Sequence, residues 1–364
     1  MFSPDDHRYM AQAFCLAEQG LYSTSPNPRV GCVIVREGKV IGQGWHERAG
    51  LPHAEINALK LTGKKARGAT VYCTLEPCNH YGQTGPCSDA LIEAGVARVV
   101  AAMRDPNPLV EGGGLEKLKQ AGIQTEYGIL ENEARELNIG FISRMVRGRP
   151  WSRMKIAASL DGKTALNNGN SRWITGEPAR QDAHRWRARS CAILTGIGTI
   201  KDDDPQLTVR HVETPRQPLR VVVDSKLEIP SSARVLQGGN ALVFCAVNDK
   251  ARIARLTDAG VKVITLPNQE GKVELGQMMA LLAKFEVNEV LVEGGFRLNG
   301  SLLKAGLVDE LLLYIAPNLL GDKARGMFEL PELSELVGRR ELKILDLRMV
   351  GRDMRLLARF ADNG

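Results

Sequence analysis

Apolar and polar positions in the first 145 residues predict helices and strands in turn. A helix after Asp6 is indicated by the i, i+3, i+4, i+7 spacing of one buried face, formed by Met10, Ala13, Phe14 and Ala17. Two apolar runs that meet at Glu37-Gly38 predict a β-hairpin. The next segments predict, in order, helix 52–61, strand 69–74, helix 86–93, strand 97–103, helix 115–121, strand 123–127 and helix 131–145. This order predicts an α/β layer fold with a partly parallel sheet.

A second unit is predicted after the polar run 146–150, which contains Gly148 and Pro150. Its predicted strands are 152–159, 191–195, 219–224, 241–246, 261–266, 289–293, 310–316, 341–350 and 354–360, with helices near 179–188 and 299–305. This pattern is again typical of an α/β fold. We therefore expect two domains, residues 1–147 and residues 150–364.

The composition is that of a globular protein. The chain has 364 residues, 43% of them hydrophobic and 25% charged, and this length favours two domains. The formal charge of +6 is spread along the chain without a basic block, which weakens a nucleic-acid-binding interpretation. The acidic, polar N-terminus and the short apolar runs argue against a secretory signal and a membrane span.

Seven cysteines, three of them in one stretch with a histidine nearby, predict metal chemistry in a reducing compartment. We therefore expect a cytoplasmic protein.

Four residues predict a hydrolytic zinc site: His53, Glu55, Cys78 and Cys87. One imidazole and two thiolates give zinc three ligands and leave the fourth position for water, whose pKa the metal lowers to about 7. Glu55 is placed to carry a proton from that water to the leaving amine. The pattern H-x-E followed by P-C-x-x-C is the zinc-deaminase signature, although eight residues separate the two cysteines here. Cys87 begins a predicted helix, whose dipole favours a thiolate.

A structural zinc site is the competing interpretation, with Cys73 or His80 as a fourth ligand. A structural site would not require Glu55, so the hydrolytic interpretation is favoured. The other cysteines lie in apolar patterns and are expected to be small core residues: Cys15, Cys32, Cys73, Cys191 and Cys245.

Glycines follow two apolar strands of the second unit, in the segments Glu293-Gly294-Gly295 and Gly196-Ile197-Gly198. Glycines at the start of a helix let backbone N–H groups approach a phosphate. Neither turn has the full dinucleotide fingerprint, but two of them in one domain suggest a dinucleotide.

Several motifs resemble the bifunctional riboflavin-biosynthesis deaminase–reductase family. In the first unit they are 25–31, His53-Ala54-Glu55, 74–82 and 105–108; in the second they are 154–157, 159–162, 171–175, 203–205 and 293–295. The wide cysteine spacing is also that of this family. The resemblance covers nearly the whole chain and implies a cytidine-deaminase-like three-layer domain followed by a dihydrofolate-reductase-like domain.

The resemblance also implies two reactions. The first is zinc-dependent deamination of 2,5-diamino-6-(5-phosphoribosylamino)pyrimidin-4(3H)-one. The second is NADPH-dependent reduction of the ribosyl group of 5-amino-6-(5-phosphoribosylamino)uracil to ribityl. By the same resemblance, pyrimidine and sugar contacts fall on Asn27, His46 and Asn107. The residues alone allow simpler interpretations: Asn27 and Asn107 as turn residues, and His46 as a surface histidine.

In the second unit the resemblance assigns NADPH contacts to Ala157, Trp173, Thr199, Asp203, Gly295, Phe296, Arg297, Leu298, Asn299, Gly300 and Ser301. It assigns substrate contacts to Ser171, Arg187, Leu207, Arg210 and Glu293. Arg187 and Arg210 suit the 5′-phosphate, because guanidinium binds phosphate in a bidentate fork, although a solvated surface charge is the simpler interpretation of any arginine. Lys155, in the first strand, is predicted to orient or protonate the carbonyl that is reduced.

Two positions depart from the family pattern. Gln83 stands where many relatives have Lys or Arg, and Gly85 replaces the first of two prolines. Glutamine supplies no charge, which predicts a weaker hold on phosphate in the deaminase site.

Two other functions compete with this interpretation. One is a nucleoside or RNA-base deaminase with a basic accessory domain, and the other is a zinc-stabilised nucleic-acid-binding protein without catalysis. The dispersed charge and the 5% aromatic content argue against both, and Glu55 argues against the second. We expect small phosphorylated pyrimidines as partners, neither nucleic acid nor membrane, and a homo-oligomer.

Overall fold

The structure is a computed structural model that describes residues 2–81, 85–108 and 110–361. Gln83, the position without the expected basic charge, lies outside the described residues. The chain divides into two compact units, Met1–Gly148 and Arg149–Gly364. In the described part of the chain, no helix combines the length and the apolar character needed to cross a membrane.

The first unit is a five-stranded sheet with helices. Its elements are α1 (Pro4–Glu18), β1 (Gly31–Arg36), β2 (Lys39–Trp45), α2 (Ala54–Thr62), β3 (Thr70–Cys73), α3 (Cys87–Ala94), β4 (Arg98–Ala101), α4 (Gly113–Gln120), β5 (Gln124–Tyr127), α5 (Glu131–Leu137) and α6 (Ile139–Arg147). The strand order is β2-β1-β3-β4-β5. β1 is antiparallel to β2 and β3, whereas β3, β4 and β5 are parallel. The predicted hairpin and partly parallel sheet are confirmed.

Helix α1 begins earlier than the apolar spacing predicts, because Ser3 caps it. The Ser3 hydroxyl accepts the Asp6 amide at 3.1 Å, and the Asp6 carboxylate accepts the Ser3 amide at 2.8 Å. The buried face is formed by Tyr9, Met10, Ala13, Leu16 and Ala17. Cys15 lies on the opposite side and is exposed, so its prediction as a core residue is wrong.

The single predicted helix 131–145 is divided at Asn138 into α5 and α6. The buried Asn138 side chain is used elsewhere: its Oδ1 accepts the Arg29 amide at 2.7 Å and its Nδ2 donates to the Arg29 carbonyl at 3.0 Å. The side chain thus pairs with the backbone that leads into β1, and Asn138 leaves helical geometry with φ −109°. Periodicity contains no signal of this long-range pair.

Helix α2 packs directly on β2 because two glycines of the strand have no side chain. A Cβ atom at Gly42 would lie 2.5 Å from the Ala58 carbonyl oxygen, and one at Gly44 would lie 2.7 Å from the Ala58 nitrogen. A Cβ at Gly44 would also lie 2.8 Å from the Ala54 carbonyl oxygen, so backbone contact fixes the N-terminus of α2 as well.

The second unit contains a nine-stranded sheet. Its elements are β6 (Trp151–Ser159), β7 (Lys163–Ala165), α7 (Glu177–Arg189), β8 (Ala192–Gly196), α8 (Ile197–Asp203), β9 (Leu219–Val223), β10 (Ala241–Cys245), α9 (Lys250–Asp258), β11 (Lys262–Thr265), α10 (Leu275–Lys284), β12 (Glu289–Val292), α11 (Phe296–Lys304), β13 (Glu310–Ala316), β14 (Arg325–Gly326), β15 (Leu342–Val350) and β16 (Asp353–Phe360). The order is β11-β10-β9-β8-β12-β6-β13-β16-β15, and β7 pairs with β14. The first seven strands in this order are parallel to one another, and β16 is antiparallel to both of its neighbours, β13 and β15.

Both faces of this sheet are covered. Along β8, Ala192 and Leu194 belong to one apolar cluster and Ile193 to another. Strands buried on both faces read as continuous apolar runs, which is why the sequence predicts them well. Cys245 is in the core as predicted, whereas Cys191 is only half-buried.

Candidate functional site

The predicted zinc ligands lie together in the first unit. His53 is the residue before α2, Cys78 lies in the segment after β3, and Cys87 begins α3. The Nδ1 atom of His53 is 3.5 Å from Cys78 Sγ and 3.3 Å from Cys87 Sγ, and all three ligand atoms lie within 4.8 Å of one another. Tetrahedral zinc with bonds of about 2.0–2.3 Å spaces its donors at about 3.5–3.8 Å, so the cluster fits the metal.

The two thiols differ in acidity. The pKa of Cys78 is lowered to about 4, because the Cys87 thiol donates a hydrogen bond to it and His53 lies beside it. The pKa of Cys87 is raised by the same hydrogen bond. The amide that begins α3, that of Cys87, donates to Cys78 Sγ at 3.3 Å. The first amide of the helix therefore stabilises a thiolate at Cys78; that the helix dipole also favours a thiolate at Cys87 stays a prediction.

Glu55 lies in the first turn of α2 and is only 3% exposed. Burial raises the pKa of its carboxyl group, and the nearby His53 opposes that rise. Glu55 is not a member of the three-residue ligand cluster, and no fourth His, Cys, Asp or Glu among the described residues joins it. Cys73 Sγ instead lies 3.7 Å from Cys32 Sγ in the core, and His80 is exposed. This arrangement suits a proton carrier beside an open metal position.

Asn27 and His46 form one hydrogen-bonded pair. Asn27 Nδ2 is 3.0 Å from His46 Nε2, and His46 Nδ1 is 3.2 Å from the Pro52 carbonyl oxygen. The His46 ring meets the His53 ring edge-on at 5.2 Å, and His46 is 2% exposed. Burial lowers its pKa. The surface interpretation of His46 is therefore wrong.

Asn107 lies in a segment that Glu76 holds in place. The buried Glu76 carboxylate accepts four backbone amides, those of Asp105, Gly112, Gly114 and Leu115, at 2.9–3.1 Å. The Asn107 amide donates to Asp105 Oδ1 at 2.9 Å. Glu76 thus joins the segment of Cys78 to that of Asn107. Sequence reasoning noted Glu76 only as part of the cysteine motif, because four bonds to backbone leave no pattern in side chains.

The second unit contains a cavity of about 650 Å³. Ten predicted residues line it: Lys155, Ala157, Ser171, Trp173, Arg187, Thr199, Asp203, Leu207, Arg210 and Glu293. The predicted segment from Gly295 to Ser301 does not line the cavity but adjoins it, since Gly294 does, and a Cβ at Gly295 would lie 3.6 Å from Thr199 Oγ1.

Glu293 is held by two cations in this cavity. Arg187 Nε and Nη2 donate to its two carboxylate oxygens at 2.5 and 2.9 Å, and Lys155 Nζ lies 3.9 Å away. Although burial raises the pKa of Glu293, Arg187 and Lys155 lower it to about 2. Burial also lowers the pKa of Lys155. The fork of Arg187 therefore serves Glu293, which differs from its predicted use as a phosphate clamp.

Sequence reasoning missed several polar residues of the cavity wall: Arg172, Arg180, His184, His211 and Arg234. Two of them lie on α7 at helical spacing from the predicted Arg187: His184 is one turn before it and Arg180 two turns before it. The Arg180 guanidinium lies 4.5 Å from the centre of the Trp173 ring, which is 68% exposed at the cavity.

Comparison with known proteins supports both units. Residues 3–103 match the cytidine and deoxycytidylate deaminase zinc-binding region, and residues 150–356 match the RibD C-terminal domain. The riboflavin biosynthesis protein RibD of Escherichia coli K12 is 47% identical over 96% of this chain and 98% of its own. The chain belongs to the RibD family. A RibD structure from Acinetobacter baumannii matches with a TM-score of 0.91, at 43% identity over 98% of this chain and 99% of that one.

A further RibD-like structure comes from Thermotoga maritima. It is described as a diaminohydroxyphosphoribosylaminopyrimidine deaminase/5-amino-6-(5-phosphoribosylamino)uracil reductase and matches with a TM-score of 0.87, at 32% identity over 98% of this chain and 99% of that one. Membership of the RibD family confirms the predicted fold, a cytidine-deaminase-like domain followed by a dihydrofolate-reductase-like domain. It also confirms a bifunctional riboflavin-biosynthesis enzyme, deaminase and reductase, that uses zinc and NADPH. Neither competing function is supported.

Proposed function

We propose that residues 1–147 deaminate 2,5-diamino-6-(5-phosphoribosylamino)pyrimidin-4(3H)-one and that residues 150–364 reduce the ribosyl group of the resulting uracil. The observation that carries the proposal is the cluster of His53, Cys78 and Cys87 beside the buried Glu55. The substrates are those in the description of the Thermotoga maritima relative. The test is NADPH oxidation, followed by absorbance, with the purified deaminated substrate and then with its diamino precursor. After zinc removal, the enzyme should still oxidise NADPH with the deaminated substrate but not with its diamino precursor. Equal rates with the two substrates in the zinc-free enzyme would contradict the proposal.

In the deaminase site, the chain's own residues orient the pyrimidine and move the proton. His53, Cys78 and Cys87 would hold zinc, which would supply a water of lowered pKa. Glu55 moves a proton from the attacking water to the amino group that leaves as ammonia. The neutral His46 ring, paired with Asn27, closes one side of the site, and the segment of Asn107 is fixed by Glu76.

In the reductase site, NADPH supplies the hydride, and the protein aligns the two reactants. The amides at the start of α11 receive no side-chain cap, so they are available to the cofactor's phosphates in the segment Gly295–Ser301. Ala157, Trp173, Thr199 and Asp203 border the same cavity. Lys155, whose pKa burial lowers, is suited to donate a proton to the carbonyl oxygen, with Glu293 holding its ammonium group.

Arg210 is a better candidate than Arg187 for binding the 5′-phosphate of the substrate. Arg210 borders the cavity, and its guanidinium donates hydrogen bonds to the neutral side chains of Gln206 and Thr208, at 3.3 and 3.1 Å. Ser171 and Leu207 border the cavity as well, and we assign them to the substrate. Arg187 acts on the substrate through Glu293.

We also propose a homo-oligomer formed through β15. This strand is the edge of the nine-stranded sheet, and its apolar side chains are exposed: Leu342, Ile344, Leu345, Leu347 and Met349. An exposed apolar edge strand favours association with a second copy. Sedimentation equilibrium of the wild type and of Leu347→Lys tests this, with Leu319→Lys as the control for an added charge. A monomeric wild type, or no change in Leu347→Lys, contradicts it.

The seven unpaired cysteines suit the cytoplasm, where we place the enzyme.

A further inference from the structure

His184 is a polar residue on the inner face of α7, and it borders the reductase cavity. It is 6% exposed, and its ring meets that of His211 edge-on at 5.1 Å. It lies one turn before Arg187 on the helix.

The hydrogen bonding of His184 fixes its protonation. Its Nδ1 lies 3.0 Å from the backbone nitrogen of Arg210. A backbone amide can only donate, so Nδ1 must be the acceptor and must carry no proton. The proton of the neutral ring is then on Nε2.

The segment that carries Arg210 has no regular structure of its own. Its backbone is held by side chains instead: Arg187 donates to the Thr208 carbonyl at 3.1 Å, and Gln217 bonds both the amide and the carbonyl of Val209, at 2.8 and 3.2 Å. His184 holds the next amide, that of Arg210 itself. Of the three side chains that hold this backbone, Arg187 and His184 therefore come from one face of α7, the helix that also fixes Glu293.

We propose that His184 is a positioning residue of the reductase, whose Nδ1 holds the Arg210 backbone and so places the Arg210 guanidinium for the 5′-phosphate of the substrate. This inference rests on the proposed role of Arg210. Without this hydrogen bond, Arg210 keeps its charge but its backbone is no longer held in one position. Binding of the phosphate therefore weakens, while the hydride step is unchanged.

The test uses the full-length, zinc-loaded enzyme and the deaminated substrate with and without its 5′-phosphate. His184→Ala removes the acceptor, whereas His184→Asn keeps one, because Asn Oδ1 lies close to the position of Nδ1. Each is measured in the wild-type and Arg210→Ala backgrounds. Gln181→Ala, an exposed residue on the same helix, is the control. Deaminase activity of the same samples shows that each variant is folded.

We expect His184→Ala to raise KM for the phosphorylated substrate about 2- to 10-fold, the effect of one hydrogen bond, with kcat nearly unchanged. His184→Asn should recover most of the loss. The loss should vanish for the dephosphorylated substrate and in the Arg210→Ala background. If Arg210→Ala itself shows no phosphate-dependent loss, the phosphate assignment of Arg210 fails and the role of His184 fails with it. If that loss is present but His184→Ala acts equally in both backgrounds, or His184→Asn is as impaired as His184→Ala, only the role of His184 is overturned.

Discussion

Glu55 combines burial with a position outside the ligand cluster, and this combination separates proton transfer from metal binding. We expect Glu55→Gln to keep about one zinc per chain and to lose deaminase activity by about 10²–10⁴-fold, the usual contribution of a general acid–base group. Zinc content by atomic absorption and ammonia release measure the two effects. NADPH-dependent reduction of the deaminated substrate is the internal control. Loss of the metal, or near-normal deamination, would show that Glu55 has another role.

The neutral state of His184 has a consequence for stability. Burial, followed by the charges of Arg187 and Arg210, lowers its pKa from 6.5 to about 4. Between these two values the unfolded chain binds a proton at this site and the folded chain does not, so the second unit loses stability as the pH falls from about 6.5 to 4.

At pH 4.5 the loss attributable to His184 should be about 2 kcal/mol. Urea unfolding of wild type and His184→Asn measures it between pH 7 and pH 4.5, by fluorescence of the tryptophans, of which three of four lie in the second unit. On acidification, the free energy of unfolding should fall more steeply in the wild type than in His184→Asn. Parallel pH curves would mean that His184 titrates normally.

For single residues, the sequence predicts those whose own side chains bind the metal or carry the proton. His53, Glu55, Cys78 and Cys87 were found from residue type and spacing, because each bears a donor that zinc or a proton requires. Glu76 and His184 were not, because their partners are backbone amides of distant segments. Every residue type except proline has such an amide, so the partner's sequence carries no mark of the contact.

Among the elements, α2 packs closely on one strand position, Gly44 of β2. A Cβ at Gly44 would lie 2.7–2.8 Å from three atoms of α2, two of them backbone, and the helix would have to move. We expect Gly44→Ala to lower the stability of the first unit by about 1–3 kcal/mol and to lower zinc content, because His53 is at the start of that helix. Thermal unfolding and metal analysis measure both.

Gln43→Ala is the matched control for this change, since Gln43 is the neighbouring, exposed residue of the same strand. It should leave both quantities unchanged. Normal zinc content in Gly44→Ala would indicate that α2 adjusts without moving the ligand.

The elements that the sequence predicted best are buried on one or both faces. Strands β8, β10 and β12 read as apolar runs, and α1 shows one buried face. Helices α8, α9 and α10 were not predicted from the sequence. Helices α5 and α6 were predicted as one, because the break at Asn138 depends on Arg29, which is distant in sequence. Local patterns cannot contain a contact with a distant segment.

For the whole molecule, each of the two compact units has its own core. Cys87→Ser removes a zinc ligand from the first unit only. We expect lower zinc content and a lower deaminase rate, with NADPH-dependent reduction of the deaminated substrate largely retained. Parallel assays of both reactions on one preparation measure this. Loss of both activities in a folded protein would show that the units depend on each other.

The presence of both units in one polypeptide also has a consequence for the cell. Translation delivers the two catalysts in equal copy number, so gene expression cannot adjust one against the other. The balance of flux is set only by the turnover of each site. A mutation that slows the reductase alone would therefore let the deaminated intermediate accumulate at every expression level, and raising expression would speed both steps without restoring their ratio.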